Sequence, residues 1–309
     1  MRILRDLPRP GETGAPLALC VGNFDGVHRG HRTLADLVRR RAADDNLQSA
    51  VLSFEPHPLA VLGGKPVRRL GGAGEKITYL SDINILYLLR FTKQFSSQSA
   101  EEFAALLFSR LRAKYVAAGE NFRFGRGRRG DLSLLRREGK RYGAEVAGVP
   151  LQTIDGAAIS SGRIRECLRR GDFTAAAALL GRPWILRGRV IRGRGLGRTL
   201  GYPTANLNLH FLPVCEGIFV AAAFLDGKIL PAALSIGGNP TVGGGELRAE
   251  AFLPDFSGDL YGRRLVVRPL HKLRDEQKFA DTAELRAAMA ADVSQVREWW
   301  KKNAAALNL

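Results

Sequence analysis

The chain of 309 residues is long enough for two domains with separate cores, and its 45% hydrophobic and 25% charged residues exclude a largely disordered polypeptide. No run of about 18 apolar residues is present to span a bilayer, and Arg2 and Arg5 lead into no apolar signal segment, so a soluble, cytoplasmic protein with no membrane partner is expected. A net charge of +17 raises nucleic acid as a partner, although charge by itself does not select one.

The first apolar segment, residues 18–21, reads as a buried parallel strand, and Leu34, Leu37 and Val38 then recur at helical spacing. Between them lies Gly22-Asn23-Phe24-Asp25-Gly26-Val27-His28-Arg29-Gly30-His31, which therefore occupies a strand-to-helix turn. Such a turn suits phosphates. Glycines let the backbone approach a triphosphate, and the helix N-terminus directs N–H groups and partial positive charge at it. Two imidazoles three residues apart can hydrogen-bond it from one side. The plainer reading is a turn whose histidines only cap the helix; three glycines, an aspartate and two histidines within ten residues exceed what such a turn requires.

Residues 50–54 form the next predicted strand, followed by a loop rich in Pro and Gly and a strand over 85–89. Ser99 with Glu102 is a capping box, opening a helix through Phe103, Leu106, Leu107 and Leu111, and residues 115–118 are again a strand. This alternation predicts an α/β, Rossmann-like domain: a parallel sheet with helices on both faces and ligand loops at the carboxyl ends of its strands. Helical segments after Ile159-Ser160-Ser161 run to Leu180, where Gly181-Arg182-Pro183 stops them, so domains of 1–181 and 182–309 are expected. Beyond that point the pattern is β: strands over 184–190, 218–225 and 229–236, the last two joined at Asp226-Gly227, then 248–253 and 265–270. A helix starts near Asp281, with Glu284 in capping-box register and Leu285, Met289, Val293, Val296 and Trp300 on its apolar side. The second half is read as a small antiparallel barrel with a C-terminal helix, Met289 and Trp300 belonging to its core.

Cys20, Cys167 and Cys215 are far apart, lack CxxC spacing and read as buried small residues; no zinc site is visible. Basic residues cluster in Gly-rich loops, at Arg123, Arg126, Arg128 and Arg129 and at Arg187, Arg189, Arg192, Arg194 and Arg198. No aromatics interleave with them as in a stacking platform for single strands, and mononucleotide phosphates explain them equally well. Arg39-Arg40-Arg41 fits a solvated helix C-terminus.

There is no P-loop. Gly71-Gly72-Ala73-Gly74-Glu75-Lys76 lacks the required spacing and places Ile77 at the hydroxyl position, and the run at Gly193, Gly195 and Gly197 has Arg198 where a dinucleotide reader needs its third glycine. His28-Arg29-Gly30-His31 instead matches the HxGH signature of the nucleotidyltransferase superfamily. In that chemistry an acceptor phosphate attacks the α-phosphorus of ATP in line and pyrophosphate leaves, so positioning and charge stabilisation carry catalysis.

The order of further motifs resembles the bacterial bifunctional riboflavin kinase/FMN adenylyltransferases almost from end to end. These are Phe54-Glu55-Pro56-His57-Pro58, Gly119-Glu120-Asn121-Phe122-Arg123-Phe124-Gly125, Gly130-Asp131 and Ile159-Ser160-Ser161-Gly162-Arg163-Ile164-Arg165. In the second half, Leu200-Gly201-Tyr202-Pro203-Thr204-Ala205-Asn206 resembles the flavokinase PTAN signature. Gly238-Asn239-Pro240-Thr241, Asp259-Leu260-Tyr261-Gly262 and Leu273-Arg274-Asp275-Glu276-Gln277-Lys278-Phe279 follow.

The resemblance implies that His28 and His31 with Gly22, Asn23, Phe24, Asp25, Gly26 and Gly30 hold ATP. Ser160, Ser161 and Arg165 would grip its phosphates, and Phe54, Pro56, His57, Pro58 and Asn121 would line the FMN side. Taken alone, Ser160 reads equally as a helix cap, Arg165 as a surface cation and Asn121 as a turn residue. In the barrel the resemblance implies an ATP site at Gly201, Pro203, Thr204 and Asn206, the last two offering hard oxygens to Mg²⁺ if the segment is extended; the plain alternative is a Pro-initiated turn closed by polar side chains. Glu250 aligns with the family's base for the riboflavin 5′-hydroxyl, and Arg274 and Lys278 with the flavin-side flap, where a solvated helix face is the ordinary explanation.

Some positions depart from the family pattern: Gly162 replaces a frequent hydroxyl residue, Phe252 stands where His is frequent, and Pro254 comes two residues before Phe256. The implied activities are phosphorylation of riboflavin to FMN and adenylylation of FMN to FAD, with ATP as co-substrate, Mg²⁺ at both sites and small molecules as partners. Two alternatives stay open: an RNA-binding protein whose HxGH turn has lost its role, and a kinase alone with an adenylyl site weakened at Gly162. Nucleic acid is not expected as a partner despite the charge, and homo-oligomerisation is left open.

Overall fold

A computed structural model describes residues 1–9, 14–63, 67–193, 195–238 and 247–306. Arg194 and the Asn239-Pro240-Thr241 part of the second barrel motif lie outside the described residues. Chain contacts group into two compact units, Met1–Val67 with Gly71–Ser161, and Arg68–Leu70 with Gly162–Leu309.

In chain order the first unit contains β1 (Arg2–Leu4), β2 (Leu17–Val21), α1 (Arg29–Asp44), β3 (Gln48–Phe54) and α2 (Pro58–Leu62). The next strand, β4 (Arg68–Arg69), belongs to the second unit. The first unit resumes with α3 (Ala73–Tyr79), β5 (Ile85–Leu89), α4 (Lys93–Ser96), α5 (Ala100–Ala105), β6 (Ala113–Gly119), α6 (Leu132–Arg141), β7 (Glu145–Val149) and a short hairpin of β8 (Thr153–Ile154) and β9 (Ala157–Ala158). Six strands form one parallel sheet in the order β1-β5-β3-β2-β6-β7. Every residue of β2 and β5 is buried, as the unbroken apolar runs demand of strands covered on both faces. Leu17, Leu19 and Val21 enter one core with Phe103 and Leu107, whereas Ala18 and Cys20 enter the other with Leu34 and Val38 from α1. Helices thus cover both faces, as the alternation predicted.

The capping box is present: the Ser99 hydroxyl accepts from the Glu102 N–H at 3.1 Å and the Glu102 carboxylate from the Ser99 N–H at 2.6 Å. The expected continuous helix ends at Ala105, however, and residues Leu106–Arg110 form one wider π turn. The helical segments expected from Ser161 to Leu180 are two helices, α7 (Ser161–Arg169) and α8 (Phe173–Leu180), separated at Gly171 with φ +76°; Gly181, at φ +80°, ends the second.

The second unit holds β10 (Leu186–Ile191), α9 (Leu196–Thr199), β11 (Ala205–Asn208), β12 (Leu212–Pro213), β13 (Gly217–Leu225), β14 (Lys228–Gly238), β15 (Leu247–Phe252), β16 (Arg264–Arg274) and α10 (Thr282–Asn303). Six of these strands close an antiparallel barrel in the order β10-β11-β15-β14-β13-β16. Leu225 pairs with Lys228 across Asp226 and Gly227, both left-handed at φ +50° and +74°, as a type I′ hairpin requires. Outside the barrel, β4 and β12 pair in parallel, and the Trp184 indole N–H donates to the Leu70 carbonyl at 2.8 Å.

Two core assignments need correction. Cys20 and Cys215 are buried, with burial pushing both thiols up, but Cys167 is only partly buried. Within α10 only Asp292 and Val296 are buried: Leu285, Met289 and Val293 face a cavity instead of filling a core, and Trp300 is half-buried.

Candidate active sites

The turn after β2 is built from local geometry. His28 caps α1 in an extended conformation and its Nδ1 accepts from the His31 N–H at 3.4 Å. The two imidazoles stack with centroids 3.7 Å apart and nearly parallel planes, and the Phe24 ring lies 4.8 Å from His31. A Cβ on Gly30 would lie 3.3 Å from the His28 ring, so glycine gives that ring its place. Phe24 and Val27 have φ of +49° and +40°, a conformation unfavourable for an aromatic or β-branched residue and concentrated here around Gly26. Gly22 and Gly30 are half-buried, Asn23 is exposed, and Asp25 and Gly26 are buried. The Ser161 hydroxyl donates to the Asp25 carbonyl at 3.0 Å, which brings the residue opening α7 onto this turn. Ser160, immediately before it, is exposed. Arg165 groups with the second unit.

The neighbouring strand β3 delivers Phe54-Glu55-Pro56-His57-Pro58 at its carboxyl end. The Glu55–Pro56 peptide is cis. Buried His57 caps α2, its Nδ1 accepting from the Leu59 N–H at 3.2 Å with Pro58 at the first helical position. The Phe54 ring meets Phe91 and Phe95 at 5.3 and 5.4 Å. Asn121 is exposed just beyond the end of β6, two strands away.

The second constellation lies in the barrel. Asn206 on β11 stands opposite Glu250 on β15, and the Thr204 hydroxyl donates to Glu250 Oε2 at 2.9 Å. Thr204 stands just before β11, and it lines the same cavity as Asn206. The Asn206 side-chain oxygen is buried and has no hydrogen-bond partner among the described residues, which fits an acceptor reserved for a bound group. No cluster of three or more His, Cys, Asp or Glu suited to a metal occurs among the described residues. A cavity of about 460 Å³ opens onto these three side chains. Its walls include Gly193, Gly195, Gly197 and Pro203, and also Arg274, Glu276 and Phe279 with Met289 and Val293 of α10.

The structure thus gathers Pro203, Thr204, Asn206, Glu250 and Arg274 around one space, while Gly201 and exposed Lys278 do not line it. Arg274 is held by Asp292, which accepts from its Nε at 2.8 Å and from a terminal nitrogen at 2.7 Å. Sequence reasoning passed over Gly193, Gly197, Tyr261 and Met289 as lining residues. The glycine spacing directly upstream of the PTAN-like segment was a usable signal, whereas a methionine at helical spacing looks the same whether it faces a core or a cavity. Phe252 lines the same space, with Tyr202 edge-on at 5.4 Å.

A parallel α/β unit with paired histidines at a strand-to-helix turn, and a closed barrel with a carboxylate at its cavity, define a two-site transferase. The family profile described as FAD synthetase matches residues 12–163, and that described as riboflavin kinase matches residues 180–300. The chain is 40% identical over 289 residues to the bifunctional riboflavin kinase/FMN adenylyltransferase of Escherichia coli K12, covering 91% of this chain and 92% of the relative. It is 35% identical to the protein of the same name from Haemophilus influenzae, covering 97% and 99%. A crystal structure described as a macrolide-efflux protein from Streptococcus pneumoniae superimposes with a TM-score of 0.75 at 31% identity, over 97% of this chain and 100% of that one. Among the described residues no helix is long and apolar enough to cross a membrane. The chain belongs to the bifunctional riboflavin kinase/FMN adenylyltransferase family, and phosphorylation of riboflavin and adenylylation of FMN are its two activities.

Proposed function

We propose that residues 1–181 carry FMN adenylylation and residues 182–309 riboflavin phosphorylation, both from ATP and in the cytoplasm. In the first, His28, His31 and the backbone N–H groups of the Gly22–Gly30 turn hold the triphosphate against the N-terminus of α1. Ser160 and Ser161 supply further donors to its phosphates. The Phe54–Pro58 loop and Asn121 hold FMN. A phosphate oxygen of FMN attacks the α-phosphorus, the bond to the β-phosphate bridge breaks, and pyrophosphate leaves with the charge that the histidines and N–H groups stabilise.

In the barrel, Glu250 accepts the proton of the riboflavin 5′-hydroxyl as its oxygen attacks the γ-phosphorus and ADP leaves. The hydrogen bond from Thr204 fixes the orientation of the carboxylate for that transfer. Thr204 and Asn206 would hold Mg²⁺ through their oxygens, and the charge it supplies when bound neutralises ATP phosphates; two protein oxygens plus substrate oxygens suit that ion. The glycines of the cavity wall take ATP, and Arg274 stands on the flavin side.

The observation that carries this reading is the convergence of Thr204, Asn206 and Glu250, 46 residues apart in sequence at the hydrogen bond, on one cavity in a unit separate from the histidine turn. Riboflavin, ATP and Mg²⁺ incubated with the protein and resolved by chromatography test it. His31→Ala should abolish FAD formation and spare FMN formation, while Glu250→Ala should abolish phosphorylation of riboflavin and spare FAD formation from supplied FMN. Loss of both steps in either folded variant would refute separate sites.

A further inference from the structure

The segment Gly71-Gly72-Ala73-Gly74-Glu75-Lys76, which fails as a P-loop, opens α3. Its geometry is tightly set: a Cβ on Gly71 would lie 2.9 Å from Cβ and Cγ of Glu75, and the Glu75 carboxylate accepts from the Gly72 N–H at 2.8 Å. Lys76 follows directly and is 1% exposed. Its ammonium donates to the Ser53 hydroxyl at 2.9 Å and to the Phe54 carbonyl at 2.8 Å, and lies 4.0 Å from a Glu55 carboxylate oxygen. Ser53, itself fully buried, donates its hydroxyl hydrogen bond to the Asn23 carbonyl at 3.0 Å.

A lysine head enclosed in this way is costly to desolvate, and an apolar side chain would cover a parallel sheet more cheaply. What an apolar residue cannot do is hold carbonyls. Phe54 is where the Phe54–Pro58 loop leaves β3, and Asn23 lies in the turn that leaves β2, its direct neighbour in the sheet. Ligands of such sheets lie across the crevice between loops of this kind. One ammonium therefore grips the first loop directly and the second through a single hydroxyl.

We propose that Lys76 is a positioning residue for FMN adenylylation, holding the Phe54–Pro58 loop and the Asn23 turn in one register through Ser53, so that the attacking phosphate and the α-phosphorus meet in line. This rests on the assignment of those two segments to FMN and ATP. An error of about 1 Å between reacting groups costs on the order of 100-fold in rate, so loss of the anchor should appear in kcat more than in either KM.

The test uses the full chain with Lys76→Met, Lys76→Arg, Ser53→Ala and the Lys76→Met/Ser53→Ala pair. FAD formation from FMN is measured at saturating and limiting substrates, alongside riboflavin phosphorylation and thermal unfolding. Lys76→Met should lower the adenylylation kcat by about 10- to 100-fold with both KM values within roughly threefold, and Lys76→Arg should recover part of it. The double variant should be no slower than Lys76→Met alone, since both act through one chain of hydrogen bonds. Riboflavin phosphorylation should be unchanged throughout.

A Lys76→Met chain that unfolds earlier yet keeps its kcat below the transition, or additive losses in the pair, would overturn the proposal. If Lys76→Met fails to fold, Ser53→Ala decides: a fall in kcat with an unchanged unfolding temperature supports the proposal, and an unchanged kcat overturns it. His31→Ala separates the two levels. Should it leave FAD formation intact, the site reading fails and takes this inference with it; should it abolish FAD formation while Lys76→Met and Ser53→Ala keep their kcat, only the role of Lys76 fails.

Discussion

A residue type assigned from sequence acquires its meaning from the partner it meets. Arg274 is expected beside the flavin, and it does line the barrel cavity, but the edge formed by its Nε and one terminal nitrogen is taken up by Asp292 on α10, while the other terminal nitrogen donates to the Asp275 carbonyl at 3.1 Å. With Asp292 8% and Arg274 22% exposed, the pair fixes the end of β16, from which residues 275–281 run along the cavity wall. Asp292→Asn should therefore lower stability by about 1–3 kcal/mol and raise the KM for riboflavin more than that for ATP, measured by denaturant unfolding and steady-state kinetics. On the other unit, Arg32 donates to both carboxylate oxygens of Asp82 at 2.9 and 2.8 Å, and this guanidinium holds the Asp82 carboxyl below its ordinary value. A depressed folded-state value means stabilisation that is present above the ordinary carboxylate range and lost as pH falls through the depressed value. Asp82→Asn should thus cost up to about 1 kcal/mol at neutral pH, because the pair is partly exposed, and the difference should vanish once acid protonates Asp82.

At the scale of elements, periods and caps were legible and their interruptions were not. Ser99 and Glu102 form their reciprocal pair, so Ser99→Ala should cost about 1 kcal/mol by thermal unfolding; no change would mean that α5 is held by packing alone. The same sequence could not announce the π turn at Leu106–Arg110, since Phe103, Leu106 and Leu107 keep an acceptable helical spacing through it. Strand β1 has three residues and β7 is only half-buried, too short and too mixed to stand out beside β2 and β5. For the sites, the clustered turn motif could be recognised because its residues are adjacent in sequence. The barrel site was divided between residues 193–206, 250 and 274–293, and only closure of the barrel brings those pieces together. Lys76 illustrates the remaining blind spot: its fragment was rejected on spacing as a phosphate loop, and spacing holds no information about a carbonyl on a neighbouring strand.

For the whole molecule, the sequence order and the spatial order of the two units disagree at one place. Residues Arg68–Leu70 leave the first unit, pair through β4 with β12 and present the Leu70 carbonyl to Trp184, a buried indole. A fragment of residues 162–309 contains the full barrel strand set and is expected to phosphorylate riboflavin. Without that loop, however, its Trp184 N–H loses its acceptor, a loss of about 1–3 kcal/mol for a buried donor. Calorimetry should find the fragment melting below the corresponding transition of the intact chain, and coincident transitions would show the loop to be dispensable. A cut anywhere after codon 70 and before the barrel therefore strips β4 from the downstream half, so a divided enzyme would keep the full stability of that half only with a duplicate of the short stretch or a replacement for it.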